Sequence, residues 1–503
     1  MTGPRVPWIF WPPEDAGNPH SAHLRRSLIT ILELGSKREL FVDYYLVEKL
    51  AGTHLQLQQP RPAGVALRYD QPWENGLAFY STILRDGDTF RMYYRSSYFT
   101  DANLTCYAES ADGIYWTKPD LGLVETRGSK DNNVLLPYNR QFCPFLDQRP
   151  GIPAAERYKA NALSAQPPRR LVTYASGDGI HWQLLHQDAV VAEQLTNNFD
   201  SQTPMFWSAA ENCYVLYARH MVGSGPYPPE GDDPDIWIRS TARATSEDFR
   251  TWSEQVPMEF SDTDGTRPAQ HLYTNQTQPY FRAPHIYVAL PARIFFRRQA
   301  LSEAQAGELE LHPGAGERKG WDDISDAVLM TTRAGSRRYD FTFRESFIRP
   351  GIGCGNWTSR TNYPALGVVQ TGASEMSLYV QREYAQPTAY LERFVLRLDG
   401  FSSVRASFDG GEVLTRPFTF SGRALEINYS TSAAGGLRVE IQDAAGSPVP
   451  GFALAECPEI IGDEIDRVVS WQRGGEVAAL AGKPIRLRFA LRDADLFALR
   501  FKP

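Results

Sequence analysis

The strongest constraint on the fold is a turn motif, S-x-D-G-x-x-W, that occurs more than once in the sequence. It occurs as SADGIYW at 110–116 and as SGDGIHW at 176–182. A third copy, SEDFRTW at 246–252, has Phe in place of Gly. Two degraded copies follow, in TTRAGSRRYDF at 331–341 and in RLDGFSS at 397–403. The series predicts a fold built from repeated β units.

Each residue type in the motif has a local reason to be there. Ser and Asp side chains cap the backbone of their own turn, Gly accepts a positive φ, and Trp points into a core. One Asp-Gly turn is weak evidence, because such turns are common. The copies, however, follow one another at about 65 to 86 residues, a period that suits a four-stranded blade with long connections.

Strand-like segments lie before the turns, which supports the blade interpretation. They are FRMYY (90–94), NCYVLYAR (212–219) and LERFVLRL (391–398). Five turns predict an all-β chain with a five-bladed β-propeller over residues 39–415. An irregular β-sandwich with coincidental hairpins is the alternative.

The residue pattern before and after the repeated turns differs from that of the repeat itself. Residues 416–503 contain short alternating strands with Gly, Pro and Asp punctuation, which predicts a C-terminal antiparallel β-sandwich. Residues 1–38 are Pro-rich and then contain the apolar stretch SLITILEL, so we expect an N-terminal extension that lies on the propeller.

Composition excludes several classes of function. The 503 residues carry a net charge of -7 without a basic run, which argues against nucleic acid as a partner. The five cysteines are scattered and form no CxxC pair, so neither a disulfide framework nor a zinc site is indicated. No apolar run reaches membrane-spanning length, and the N-terminus lacks the pattern of a signal peptide. We therefore expect a cytoplasmic protein.

Three carboxylates are the candidates for catalysis. The first strand of a propeller blade lines the central channel, so polar residues near that strand face a ligand. Glu74 in PWENGLAFY, Asp147 in FCPFLDQRP and Asp200 in NNFDSQTP fall there in successive blades. Glycoside hydrolysis needs such a set: a base or nucleophile, a protonated acid, and a third carboxylate that adjusts their charges. Each residue taken alone is better explained as a turn cap or a solvated loop residue, and only the joint placement favours catalysis.

These features together resemble the glycoside hydrolases of families 32 and 43 and their relatives. The resemblance implies that Glu74 is the base or nucleophile, that Asp147 stabilises the transition state or tunes the acid, and that Asp200 is the general acid. The sequence departs from the family pattern in two places, because Glu74 stands where those enzymes carry Asp and Asp200 where they carry Glu. Each departure keeps the carboxylate but changes its reach by one methylene.

The last two blades supply candidates for binding substrate hydroxyls or an acidic sugar. They are Tyr273, Asn275, Arg282, His285, Glu345, Trp357 and Arg360. Trp357 is equally well explained as a packing residue, and the arginines as partners in ion pairs between blades. Asp43 is a weaker channel candidate, because its neighbours alternate like those of an ordinary edge strand.

The sequence leaves several functions open. We expect an exo-acting glycosidase that takes a small carbohydrate substrate. A glycoside phosphorylase on the same fold and a non-catalytic carbohydrate-binding propeller are the alternatives. No nucleotide or redox cofactor and no metal ligand set is indicated, although a structural cation in the channel stays open. The sugar, its linkage and the oligomeric state are not encoded in any motif.

Overall fold

The computed structural model describes residues 30–74, 78–96, 103–137, 140–164, 171–186, 199, 201–223, 237–311 and 319–503. Within these ranges the chain is all-β, and its one α-helix, Glu303–Glu308, has a Ser302–Gln305 capping box. Short 3-10 turns occur at Ala154–Glu156, Leu454–Glu456 and Ala478–Leu480. None of the described helices has the length and apolar character needed to cross a membrane.

Five small sheets follow one another along the chain, and we number them in that order. Antiparallel neighbours form each sheet. The first sheet contains Phe79–Asp86, Thr89–Ser96, Leu104–Ser110 and Val134–Leu136. The second sheet contains Arg140–Leu146, Tyr158–Leu163, Leu171–Ser176 and Gln183–His186. The third sheet contains Met205–Ser208, Cys213–Gly223, Trp237–Ser246 and Val256–Pro257.

The fourth and fifth sheets vary this pattern. The fourth has Gln278–Tyr280, Ala283–Ala289 and Met330–Arg333, and the fifth has Val369–Gln370, Glu375–Arg382, Tyr390–Arg397 and the early strand Arg61–Arg68. Beside them lie a three-stranded sheet of His271–Leu272, Ala292–Phe295 and Ile324–Ala327, and a parallel pair of Glu259–Phe260 and Arg338–Tyr339. The outer strand of the fifth sheet thus comes from the part of the sequence that precedes the first sheet.

The first strands of the sheets meet in a buried cluster of side chains. Gln202 Nε2 donates to Thr82 Oγ1 at 2.7 Å, and Gln276 Nε2 donates to Gln202 Oε1 at 2.7 Å and to Pro364 O at 2.9 Å. Burial raises the pKa of the Cys143 thiol, which also contacts Thr82 and Gln202, to about 12. This amide cluster joins all five sheets around neutral groups, where the sequence analysis expected carboxylates to converge.

A ten-stranded sheet combines the two ends of the described chain. Its strands are Leu32–Gly35, Glu39–Leu40, Val47–Ala51, Thr53–Leu57, Ser402–Ala406, Gly411–Thr415, Phe418–Phe420, Ala424–Asp443, Asp463–Val468 and Ile485–Lys502. Leu32 lies beside Phe418, and Val404 lies between Leu55 and Leu496. Residues 32–57, which the sequence analysis divided between an arm and the repeat, therefore pair with strands near the C-terminus.

Buried charges join the ten-stranded sheet to the end of the fifth sheet. The Arg38 guanidinium bonds Asp399 at 3.2 Å, Glu426 at 2.8 Å and Asp466 at 2.8 Å. Arg282 bonds the same Asp399 at 3.1 Å. Arg38 and Asp399 are both almost fully buried, where an unpaired charge would be costly. The ion pairs compensate these buried charges at the contact.

Candidate functional site

The repeated turn is structural in the two copies that keep its Gly. Gly113 N donates to Ser110 Oγ at 2.9 Å, and Ile114 N donates to Asp112 Oδ1 at 2.7 Å. The carbonyl of Gly113 accepts from the Trp116 indole and from the phenol of a tyrosine on the fifth sheet. In the next copy, Gly179 O accepts from Tyr93 of the first sheet at 2.9 Å. The first turn therefore fastens the first sheet to the fifth, and the second turn fastens the second sheet to the first.

Glu74 is enclosed in the first sheet. Its side chain accepts from Tyr94 Oη at 2.5 Å, from Gln71 N at 2.8 Å and from Lys118 Nζ at 2.8 Å. The residue is fully buried. Burial raises the pKa of Glu74, and the Lys118 ammonium opposes that rise. The structure thus places Glu74 in a satisfied ion pair.

Asp147 is also in a buried ion pair, at the other end of its strand. Lys159 Nζ donates to Asp147 Oδ2 at 2.6 Å, Tyr214 Oη donates to the same oxygen at 2.7 Å, and Arg149 N donates to Oδ1 at 2.9 Å. Asp147 follows Arg140–Leu146, whereas Glu74 precedes its first strand. A seven-residue strand is roughly 20 Å long.

Glu74 thus lies before the first strand of the first sheet and Asp147 after the first strand of the second, and their joint action in catalysis stays a prediction. Carboxylates that cooperate in glycoside hydrolysis lie about 5–9.5 Å apart. Asp200, the third member of the set, lies outside the described residues.

Asp147 belongs to a repeated contact that the sequence analysis missed. Its Tyr214 partner lies on the second strand of the next sheet. In the same way Asp86 accepts from Tyr158, and Glu211 accepts from Tyr287 at 2.6 Å. We call these three carboxylate–tyrosine pairs the inter-sheet clasps.

A sequence signal for the clasps exists. Each tyrosine pairs in register with the Ser or Thr of its own turn: Tyr158 with Ser176, Tyr214 with Ser246, and Tyr287 with Thr332. A tyrosine recurring at that register position marks a site where the preceding sheet can offer a carboxylate.

A polar pocket lies at the starts of the first strands of the third and fourth sheets. It is a narrow crevice: the space between its atoms is about 160 Å³, counting space open to solvent, but none of it is wide enough for a water molecule. Its wall consists of Ser201, Arg219, Ser240, Thr241, Leu272, Tyr273, Thr274 and Asn275. We call it the strand-start pocket. Hydroxyl, amide, guanidinium and phenol groups dominate its wall, and the predicted residues Tyr273 and Asn275 both lie in it.

An aromatic cluster continues from this pocket. Phe79, Tyr80, Tyr363 and Tyr384 pack together with Ala292 and Ala385, and Tyr273 packs against them with its ring 5.2 Å from that of Tyr363. We call these residues the aromatic collar. The Arg95 guanidinium lies 4.4 Å from the centre of the Phe79 ring, and that of Arg239 lies 5.0 Å from the Tyr273 ring. Such cation–π contacts hold the arginine heads at the collar.

The remaining predicted binding residues divide between this region and others. The charge of Arg360 acts on Tyr363 of the collar. Trp357 packs with a small cluster around Leu301 and donates to Gly351 O at 3.0 Å, as its packing alternative predicted. Glu345 is exposed on the segment between the fourth and fifth sheets.

Arg282 lies between the first and second strands of the fourth sheet and His285 lies on the second strand, and neither lines the pocket. Arg282 pairs with Asp399, and His285 Nε2 lies 2.8 Å from Glu39 Oε1. Asp43 pairs with Arg333 at 3.2 Å. His285 and Arg333 thus connect the fourth sheet to residues 30–57, whereas Arg282 connects it to Asp399, after the fifth sheet. Among the described residues no group of three or more His, Cys, Asp or Glu side chains is arranged to hold a metal ion.

Comparison with known proteins gives structural likenesses only. No protein-family model and no curated protein matches the sequence. Similar solved structures include a glycoside hydrolase (TM-score 0.44, 12% identity, 67% of this chain and 92% of that one). Others are a family 43 arabinoxylan arabinofuranohydrolase from Bacillus subtilis (0.38, 12%, 87% and 99%) and an N-acetylgalactosamine deacetylase from F. plautii (0.39, 12%, 73% and 96%). Likenesses this distant do not assign an activity to the chain.

Proposed function

We propose that the five sheets are the blades of a five-bladed β-propeller and that the ten-stranded sheet folds as a β-sandwich. The amide cluster supports a common axis, since Gln202 and Gln276 connect first strands of different sheets. Arg61–Arg68 supports ring closure, because it completes the last sheet with an early strand. The strand pairing favours a propeller from residue 61 to about 401 and a sandwich of 30–57 with 402–503, in place of the predicted boundaries at 38 and 415.

We propose that the chain is a glycoside hydrolase that cleaves a terminal sugar beside the strand starts that surround the strand-start pocket. The observation that carries this proposal is the wall of the pocket, where Ser240, Thr241 and Asn275 place hydroxyl and amide groups beside the ring of Tyr273. Sugar recognition combines hydroxyl-directed hydrogen bonds with an aromatic face in this way.

Two carboxylates are assigned to the chemistry. Asp200 directly precedes Ser201 of the pocket in sequence, so it is the acid that we propose to donate a proton to the leaving oxygen. Asp323 is our candidate for the carboxylate that activates water or attacks the anomeric carbon. Its Oδ2 accepts from Ser359 Oγ at 3.4 Å, next to Arg360, and its Oδ1 accepts from Arg297 N at 3.1 Å.

A screen of aryl glycosides and oligosaccharides, with and without phosphate, tests the proposal. We expect turnover without phosphate and a loss of kcat of about 10²–10⁴-fold in Asp200→Asn. Asp409→Asn, an exposed change on the ten-stranded sheet, is the matched control and should keep wild-type kcat. Unchanged turnover in Asp200→Asn would remove the assigned acid.

Two other functions have specific support and different outcomes in the same screen. Arg219 in the pocket wall could hold phosphate, so phosphate-dependent turnover would favour a glycoside phosphorylase. The ion pairs of Glu74 with Lys118 and of Asp147 with Lys159 are buried, which supports a non-catalytic carbohydrate-binding propeller as the other alternative. Sugar binding without any turnover would identify that case.

A further inference from the structure

Two buried side chains at the fifth sheet hold polar atoms without a hydrogen-bond partner in the described part of the chain. Gln381 is 2% exposed, and neither its amide nitrogen nor its amide oxygen is bonded there. Tyr363 is 3% exposed, and its Oη has no partner among the same residues. Leaving a buried amide or phenol unpaired costs free energy. These atoms therefore indicate a partner that the described side chains do not supply.

The two side chains stand beside each other because of a β-bulge. Gln381 N donates to Tyr363 O at 2.9 Å, and Asn362 N donates to Gln381 O at 2.9 Å. Pro364 and Val380 form an antiparallel bridge next to them. Asn362 and Tyr363 thus oppose the single residue Gln381, as the two residues of a bulge do. Tyr363 and Gln381 then stand on the same face with Cβ atoms roughly 5 Å apart, so their unpaired atoms belong to one small site.

The bulge is fixed by the buried side chain of Asn362. Its φ of +60° is unfavourable for a residue with a Cβ. Asn362 Nδ2 donates to Ser325 O at 2.8 Å and to Asn356 O at 2.9 Å, and its Oδ1 accepts from Arg382. Bulges commonly re-aim a neighbouring side chain, and here the neighbour is Tyr363. The position of the phenol is therefore built into the backbone.

The charges beside the site are of both signs. The guanidinium groups of Arg239 and Arg360 act on Tyr363, and that of Arg239 also stacks on two aromatic rings, at 5.0 and 5.2 Å. Asp323 lies beside the same segment as Arg360, because its Oδ2 accepts from Ser359 Oγ at 3.4 Å. Since carboxylate and guanidinium groups both lie here, they do not select an ion of one sign.

The unpaired groups themselves are neutral. The Gln381 amide has two N–H donors and an acceptor oxygen, and a phenol can donate or accept. Burial raises the pKa of Tyr363 well above its ordinary value, so the phenol keeps its proton. An anion would use only the donors and a cation only the acceptors, whereas a hydroxyl oxygen with its proton can use both.

We propose that the Tyr363 phenol and the Gln381 amide together bind one neutral hydroxyl oxygen, which belongs to a buried water molecule or to a sugar. Three polar atoms are enough partners for a buried water. The Tyr363 ring lies 5.2 Å from that of Tyr273, which lines the strand-start pocket, so a sugar at the strand starts would lie next to the same pair. The water source is independent of the proposed function, and the sugar source rests on it.

Urea unfolding without any sugar tests the water source. Tyr363→Phe removes only the hydroxyl, Gln381→Met removes only the amide, and Tyr115→Phe is the matched control because Tyr115 is 80% exposed. If both groups bind one water, each variant should raise the unfolding equilibrium constant about three- to tenfold, and the double variant should raise it by less than the product. If the atoms are unpaired, deleting them removes a penalty, and both variants should be at least as stable as the wild-type chain.

Calorimetric titration tests the sugar source. The probes are D-glucose, D-galactose, D-mannose and D-xylose, added to the wild-type chain and to the same variants. If a sugar hydroxyl is the bound oxygen, Tyr363→Phe and Gln381→Met should each weaken the binding of a sugar about tenfold, and Tyr115→Phe should leave its affinity unchanged.

The outcomes separate this proposal from the proposed function. Loss of stability in both variants with a less than additive double variant identifies water, and weaker sugar binding in both identifies the sugar. The first result supports the site even if no glycoside is cleaved. Variants that are as stable as the wild-type chain and bind no sugar more weakly overturn the proposal, and so does an effect confined to one variant or a fully additive pair. Turnover of glycosides at the wild-type rate in such variants leaves the hydrolase function standing.

Discussion

Replacing Asp147 with Asn distinguishes a clasp residue from a catalytic one. The side chains of Asp147 and Lys159 are 0% and 2% exposed, so the change leaves a buried ammonium without its main counter-charge. Breaking a buried pair from one side costs about 3–5 kcal/mol. We expect the lower end, about 3 kcal/mol, because Glu156 lies 3.3 Å from the same ammonium and the Asn oxygen can still accept from Tyr214.

Urea unfolding followed by tryptophan fluorescence measures this loss. A change of about 3 kcal/mol lowers the urea midpoint by roughly 1 M or more. Adding Lys159→Met to Asp147→Asn removes the stranded charge and should restore most of the stability. Asp70→Asn, which breaks an exposed pair with Lys118, is the control and should change stability by less than about 1 kcal/mol. An Asp147→Asn variant with a wild-type urea midpoint and a hundredfold loss of activity would refute the clasp interpretation.

Three further changes test other parts of the structure. Gly113→Ala should destabilise the folded chain by about 1–3 kcal/mol in thermal unfolding, because φ is +73° and the new Cβ would lie 2.9 Å from a threonine methyl. Gly64→Ala is the control: its φ is +97° but the space around it is open, so only the smaller backbone cost is expected. Burial and the charge of Asp43 raise the pKa of Asp340 from 3.8 to about 6. The folded chain therefore binds the Asp340 proton more tightly than the unfolded chain does, so protonation of Asp340 stabilises the fold. This stabilisation is complete below pH 3.8 and is lost as the pH rises to about 6. Asp340→Asn should thus stabilise the chain by about 1–3 kcal/mol at pH 7.5 and change it little at pH 3.5, and an equal gain at both pH values would contradict this reasoning. Arg38→Met, which strands carboxylates between the ten-stranded and fifth sheets, should cost about 3–5 kcal/mol in urea unfolding, and a wild-type midpoint would show that the cluster is dispensable.

The local elements of this fold were predictable because their hydrogen bonds are local. In the first three turns, the Ser and Asp side chains bond backbone N–H groups within three residues, so the sequence window contains the whole cause. In the third copy, Phe249 takes the positive φ of the replaced Gly and packs its ring into the cluster with Phe145 and Trp252. That packing offsets the backbone strain, which explains why the turn survives without Gly.

The site was less predictable because its geometry depends on distant pairing. Whether Asp147 opens or ends its strand depends on strand boundaries that hydrophobic alternation fixes only within a few residues. Its partner Tyr214 lies 67 positions further along the chain. Tyr273 and Asn275, in contrast, were identified from polar residues around a first strand, and both line the strand-start pocket.

The most direct test of the central claim compares kcat/KM for variants inside and outside the proposed site. The substrate is the glycoside that the wild-type chain turns over fastest in the screen. If the strand starts around this pocket form the active site, Asn275→Ala and Asp200→Asn should each lower kcat/KM at least about tenfold. Asn275→Ala should also lower the urea midpoint, because the Thr277 N–H loses its acceptor, Asn275 Oδ1. The Asp147→Asn/Lys159→Met double variant should retain wild-type kcat/KM. Full activity in the two pocket variants, together with a large loss in the double variant, would contradict the account and return the chemistry to the buried carboxylates.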